Sequence, residues 1–106
     1  MTTVTVTFNV AAATAFGESV YVAGSVAELG RWDTGKAVEL SAADYTEVYP
    51  RWYATVALAV GERVEYKYFR RAGGGVVEYE GGGNRVFEVP GLGRCEGEVG
   101  VHDVFN

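Results

Sequence analysis

Thr3-Val4-Thr5-Val6-Thr7-Phe8-Asn9-Val10 alternates polar and apolar residues without a break. Successive side chains of a strand point to opposite faces, so Val4, Val6, Phe8 and Val10 share one face and the threonines and Asn9 the other. That is the pattern of a half-buried strand. Working outward, the same period recurs. Ser19 to Val22 is a short apolar run, and Ala37 to Leu40 reads as a brief strand. Trp52 to Val60 places Trp52, Ala54, Val56 and Leu58 in phase. Val64 to Phe69 sets Val64, Tyr66 and Tyr68 against Glu65, Lys67 and Phe69. Val76 to Glu80, Asn84 to Val89 and Glu98 to Phe105 complete the set.

The segments between these runs carry turn chemistry. Gly73-Gly74-Gly75 closes a hairpin, Gly61-Glu62 is a turn, and Gly81-Gly82-Gly83 leads into another strand. Ala11 to Glu18 is too short for a stable helix and ends in Gly17, which predicts a loop. Ser41 to Tyr45 predicts a helical turn capped by Ser41. Gly24-Ser25-Val26-Ala27-Glu28-Leu29-Gly30-Arg31-Trp32-Asp33 reads as a turn that ends in a tryptophan flanked by charge. Seven or eight short strands and no convincing helix describe an all-β protein, an antiparallel immunoglobulin-like β-sandwich. With 106 residues, the chain is one domain, 1–106, with a single core.

Composition excludes several classes. The net charge is −5 and the basic residues are scattered, Arg70-Arg71 being the densest pair, so no nucleic-acid partner is expected. No apolar run reaches the roughly 20 residues of a membrane helix, so no membrane partner is expected. Met1-Thr2-Thr3-Val4 lacks a basic segment followed by an apolar stretch, and no signal peptide is read there. A lone cysteine, Cys95, cannot build a thiolate metal site. No metal and no cofactor are expected, and the glycine triplets lack the Lys-Ser/Thr of a phosphate loop. His102 is the one histidine, in the last strand pattern, and reads as a surface or edge residue without triad partners. Glu78 and Glu80 share a strand face about 7 Å apart, which permits carboxylate-pair hydrolysis but reads better as solubilising charge. No catalytic residue is assigned.

Two Trp, seven Tyr and five Phe are a richer inventory. Phe16, Trp32, Tyr45, Tyr49, Trp52, Tyr53 and Tyr79 fall in loops or at strand ends. Together they suggest a surface that stacks on flat, half-apolar partners. A sugar ring suits this, its C–H face lying on an aromatic ring while its hydroxyls reach polar neighbours such as Lys67 and Asn84.

Phe16 to Ser25, Leu29-Gly30-Arg31-Trp32-Asp33, Leu40-Ser41-Ala42 through Tyr45, Pro50 to Tyr53, Glu65 to Tyr68, Val77 to Glu80 and Asn84-Arg85 occur in an order that resembles the starch-binding domain, carbohydrate-binding module family 20. The likeness covers nearly the whole chain and is strongest to the C-terminal domain of fungal glucoamylases. It implies a non-catalytic module with two sites for α-1,4-glucan, maltooligosaccharides or cyclodextrin. The first would use Trp32 opposed by Tyr79, with Lys67, Glu65 and Asn84 bonding the sugar. The second would use Phe16, Tyr45 and Trp52. Trp52 also has a core reading, being in phase with Ala54, Val56 and Leu58. The implied partners are starch chains and a covalently attached catalytic domain, such as a glucoamylase, amylase or polysaccharide-oxidising enzyme, in a secreted parent that the module holds at granules. The module itself is expected to be a monomer.

The chain departs from the family at several points. Tyr79 stands where tryptophan is usual, Phe16 where tyrosine is usual, and Ala43 where glucoamylase domains carry aspartate. Gly81-Gly82-Gly83 replaces a more polar loop, which predicts a more mobile edge that costs more to order. Cys95 lies near a family half-cystine whose partner precedes the first strand, and no such partner is present here. Two other readings keep the fold: an immunoglobulin-like interaction or structural domain whose loop aromatics are packing, and an intracellular glycogen-targeting module.

Overall fold

The alternating runs become strands, and these assemble into two sheets packed face to face. The structure, a computed structural model, describes residues 2–73, 75–91 and 98–106. Eight strands lie within them: β1 (Thr3–Ala11), β2 (Ser19–Gly24), β3 (Val38–Glu39), β4 (Arg51–Ala59), β5 (Arg63–Arg71), β6 (Val77–Tyr79), β7 (Arg85–Glu88) and β8 (Glu98–Val104). Cys95 lies outside the described residues.

One sheet has the order β4-β1-β8. The opening run is its central strand, paired with β4 from Thr3↔Ala59 to Ala11↔Arg51. The other sheet runs β3-β2-β5, and β5 then takes β6 beside Phe69–Arg71 and β7 beside Arg63–Tyr66. Every pair is antiparallel except β1 with β8, which run parallel from Thr5↔Glu98 to Ala11↔Val104. The expected antiparallel sandwich therefore has one parallel edge. A hairpin cannot make such a pair, because parallel strands need a crossover, and here most of the chain separates β1 from β8.

The inner faces bury what the alternation placed there. Val4, Val6, Phe8, Val20, Val22, Val64 and Tyr68 are fully or almost fully buried. The Phe8 ring meets Tyr66 edge-on, with centroids 5.1 Å apart. The solvent-side parity of β1 holds one buried polar residue, Asn9. Its Oδ1 accepts from Arg51 Nε at 2.9 Å and Nη2 at 2.6 Å, and its Nδ2 donates to the Val101 carbonyl at 3.2 Å. The amide is buried because its bonds are met.

Three local expectations change. Ser41 does not start a helical turn: it bridges Tyr53 as an extra ladder rung, and its Oγ caps only the Ala43 N–H. The long turn after β2 is two short 3-10 segments, Ala27–Trp32 and Thr34–Lys36. Glu78 and Glu80 are not a solvated acidic pair. Glu78 is exposed and sits 3.3 Å from Arg70, whereas Glu80 is 2% exposed and bonded to Arg85 and to the N–H groups of Tyr68 and Asn106.

Candidate functional site

The loop after β2 brings Trp32 out by a sequence of small obligations. Gly24 ends the strand against Leu29 and β5, where a Cβ would stand 2.6 Å from Leu29 Cδ1 and 2.7 Å from the Glu65 carbonyl. Leu29, fully buried, anchors the loop to the core. Gly30 then reverses the chain at φ +83°, with the Lys36 carbonyl 2.7 Å from any added Cβ, so no other residue fits. Arg31 and Trp32 follow at φ 50° and 68°, also left-handed, at a cost of about 1–3 kcal/mol each. Bonds from Leu29 and Arg31 N–H to the Val26 carbonyl, and from Asp33 N–H to Gly30, hold the turn. Asp33 Oδ1 accepts the Gly35 N–H at 2.9 Å. Leu29 goes down, Gly30 turns, and Trp32 is left half-exposed.

Beside it lies a cleft of about 470 Å³ lined by Trp32, Lys67, Tyr79 and Asn84. Strand parity explains the floor: Glu65 and Lys67 are on the face of β5 opposite the buried Val64, Tyr66 and Tyr68. Lys67 Nζ donates to the Gly82 carbonyl at 2.6 Å. Asn84 Nδ2 donates to Glu65 Oε1 at 3.4 Å, while Glu65 Oε2 pairs with Arg63 at 2.9 Å. Those two neighbours, Arg63 first, hold the Glu65 carboxyl below the usual carboxylate range. Tyr79 is 39% exposed. Four of the five residues expected for the first site thus line one cleft, and the fifth, Glu65, bonds to Asn84 at its edge. The glycine loop, expected to be loose, is tied at Gly82 by Lys67 and at Gly81 by the Asn106 carbonyl, 2.9 Å from its N–H.

Phe16, Tyr45 and Trp52 share a second depression of about 540 Å³, at the end of the sandwich where the β1–β2 and β3–β4 connections meet. Their environments differ. Phe16 is wholly exposed, Tyr45 is half-buried, and Trp52 is only 6% exposed. The Trp52 indole N–H donates to the Ala12 carbonyl at 3.1 Å, and Tyr45 meets it edge-on at 6.0 Å. Trp52 is therefore mostly core, as its phase with Ala54, Val56 and Leu58 indicates, and contributes little exposed surface to the depression. Glu18 and Glu47 also line this depression. Neither stands out in the sequence, because loop glutamates carry no periodic signal.

A buried ion cluster was not legible at all. Arg85 grips Glu80 with two bonds, Nη2 to Oε1 at 2.8 Å and Nε to Oε2 at 2.9 Å. Its Nη1 lies 3.3 Å from Asp103 Oδ1, and its Nη2 donates to the Val104 carbonyl at 2.6 Å. Tyr66 and Tyr68 hydroxyls both donate to Asp103 Oδ2, at 2.9 and 2.8 Å. Burial, then the Asp103 carboxylate, pushes both phenols well above their ordinary range. Burial disfavours the Glu80 charge, but Arg85 and the N–H groups of Tyr68 and Asn106 outweigh it and hold that carboxyl below the usual value. These carboxylates are locked in structural bonds. His102 is exposed on β8. Among the described residues no group of three His, Cys, Asp or Glu could hold a metal.

A family model described as the starch binding domain matches residues 3–97. The chain is 47% identical, over 87 residues, to a lytic polysaccharide monooxygenase of family AA13 from Pyricularia oryzae, covering 82% of this chain and 23% of that protein. Among solved structures it superposes on a family 15 glucoamylase from Hypocrea jecorina with TM-score 0.94 and 39% identity, over all of this chain and 18% of that one. The family 20 module of a maltotetraose-forming amylase from Pseudomonas saccharophila gives TM-score 0.74 at 30% identity, covering 96% of this chain and 100% of that one. The chain thus spans less than a quarter of the curated relative and of the glucoamylase.

Proposed function

The chain belongs to the starch-binding domain family, whose members are non-catalytic modules attached to catalytic enzymes, and on that premise we propose that it binds α-1,4-glucan at two aromatic sites. The convergence of Trp32, Tyr79, Lys67 and Asn84 on one cleft carries the reading. Trp32 and Tyr79 offer apolar faces to the C–H side of glucose rings. Lys67 has three N–H donors and spends one on Gly82, so it can bond a sugar hydroxyl without releasing the loop. Asn84 donates as well, and Glu65 accepts. The depression around Phe16 and Tyr45 is the second site, lined also by Trp52, Glu18 and Glu47. Two contacts on one rigid domain raise the effective concentration of the second once the first is made.

The module acts as a monomer that holds an attached starch-active enzyme at granules, in a secreted parent protein. The starch-active names among its relatives and structural neighbours, a glucoamylase and a maltotetraose-forming amylase, support this setting.

The test is titration with β-cyclodextrin, followed by tryptophan fluorescence and by calorimetry. Saturable binding is expected, and Trp32→Ala should weaken the tighter phase by about 2 kcal/mol or more, roughly thirtyfold, as loss of a central aromatic anchor does. Folded protein that gives no response would refute the reading.

A further inference from the structure

The outer face of the five-stranded sheet carries an aromatic row that starts at Tyr79 in the cleft lining and runs away from it. Phe69 has the parity of Glu65 and Lys67, away from the core, yet is fully buried. Its neighbours across the ladder are Tyr21 of β2 and Tyr79 of β6. The Tyr21 and Phe69 rings are parallel within 6°, their centroids 5.0 Å apart. Tyr79 rests on the other side of Phe69 at 5.3 Å, tilted by 52°. The Arg71 guanidinium lies 5.0 Å from the Tyr21 centroid and 5.5 Å from that of Phe69. Its Nη2 donates to the Thr34 carbonyl at 2.9 Å, two residues beyond Trp32.

That last bond has a particular place. The hydrogen bonds of Asp33, Gly35 and Lys36 stay within the loop, so among the described residues it is Arg71 that fastens this half of the loop to β5. Arg71 Nε is buried without a hydrogen-bond partner, while the guanidinium carbon stands over both rings. The residues therefore connect in one line, from Tyr79 through Phe69, Tyr21 and Arg71 to the loop that carries Trp32.

We propose that Phe69 and Arg71 are positioning residues for the Trp32–Tyr79 cleft, tying its two walls together and setting the gap that a glucan ring enters. This rests on the glucan-binding reading of that cleft. A side chain that sets a wall makes no contact with sugar. Losing it leaves the platforms present but unfixed, and ordering them falls to the ligand. Ordering one or two side chains corresponds to about a three- to tenfold loss of affinity.

The experiment is calorimetric titration with β-cyclodextrin in a Phe16→Ala/Tyr45→Ala background, which leaves the Trp32 cleft alone. Arg71→Met, which keeps the stem but neither stacks as a plane nor donates, and Phe69→Leu should each weaken binding about three- to tenfold. In a Trp32→Ala background, which leaves the second depression, neither should change affinity. Arg71→Lys keeps the charge without the planar fork and should fail to restore binding. Should Arg71→Met not fold, Arg71→Gln takes its place. Unchanged affinity in folded Arg71→Met (or Arg71→Gln) and Phe69→Leu overturns the proposal, as does full rescue by Arg71→Lys. No saturable binding in the parent background overturns instead the glucan reading of the cleft, and the proposal with it.

Discussion

Replacing Glu80 with alanine probes the ion cluster at the base of the turn that carries Tyr79 and Asn84. The Glu80 carboxylate is 1% exposed and accepts four bonds: two from Arg85, one from the Tyr68 N–H at 3.1 Å and one from the Asn106 N–H at 3.2 Å. Alanine removes all four. Taking one partner from a buried ion pair costs about 3–5 kcal/mol, and a stranded buried N–H such as that of Tyr68 accounts for about 1–3 kcal/mol of it. Arg85 keeps Asp103 and the Val104 carbonyl, and its side chain is 22% exposed. The lower end of the range, about 3 kcal/mol, is therefore expected. A domain of this size has a stability of about 5–15 kcal/mol, so the loss is large without abolishing folding. With a urea slope near 1.5 kcal/mol/M, the midpoint should fall by about 2 M, and Tm by about 12–24 °C. A midpoint shift below about 0.5 M with an unchanged slope would show that the cluster contributes little.

The same carboxyl gives a pH dependence. Its folded pKa lies below the ordinary 4.5, so its contribution is present above that value and is lost as pH falls through the lower folded one. Urea midpoints should therefore drop on acidification below about pH 4.5, and less steeply in Glu80→Gln than in the parent; equal slopes would exclude Glu80 as a source. Acrylamide should quench Trp32 and spare Trp52, so Trp32→Phe removes the quenchable emission, and equal quenching in Trp32→Phe and Trp52→Phe would contradict the exposures. Tyr79→Trp enlarges one wall by roughly 30 Å² of apolar surface, worth about 0.75 kcal/mol or a three- to fourfold tighter β-cyclodextrin complex; weaker binding would mean that Phe69 cannot seat the larger ring. The Trp32 cleft should be the tighter site, so Phe16→Ala/Tyr45→Ala should retain more affinity than Trp32→Ala, and the reverse order would place the main platform elsewhere.

What could be read from the sequence was whatever periodicity controls. Val4, Val6, Phe8 and Val10 announce a buried face because a strand repeats every two residues, and Glu65 and Lys67 announce the opposite one. The grouping of Trp32, Lys67, Tyr79 and Asn84 in one cleft was legible from ordered resemblance plus parity. Long-range polar pairing has no period. Nothing local in Asp103 points to Tyr66, Tyr68 and Arg85, and nothing local in Glu80 points to the Arg85, Tyr68 and Asn106 bonds that accompany its burial. The parallel β1–β8 edge was hidden for the same reason, since alternation reports a face and never a strand's direction. Trp52 falls between these cases: its phase gives the correct burial, while the resemblance indicates the depression it borders.

The difference between the two aromatic surfaces lies in what stands behind each ring. Trp32 sits in a left-handed turn fixed by Leu29 and Gly30, with Arg71 holding the loop through Thr34. Tyr79 leans on Phe69, and the adjoining glycine loop is bonded at Gly81 and Gly82. Most of the ordering that stacking requires has been done by folding. Phe16 projects wholly into solvent, and Trp52 is only 6% exposed, with its indole N–H bonded to the Ala12 carbonyl. A sugar taken up there would have to immobilise Phe16 itself, at about 0.5–1.5 kcal/mol for the side chain, and would meet an indole that is already almost wholly buried. Affinity in this domain should therefore follow how far the fold has already fixed each aromatic, more than how many aromatics each surface holds.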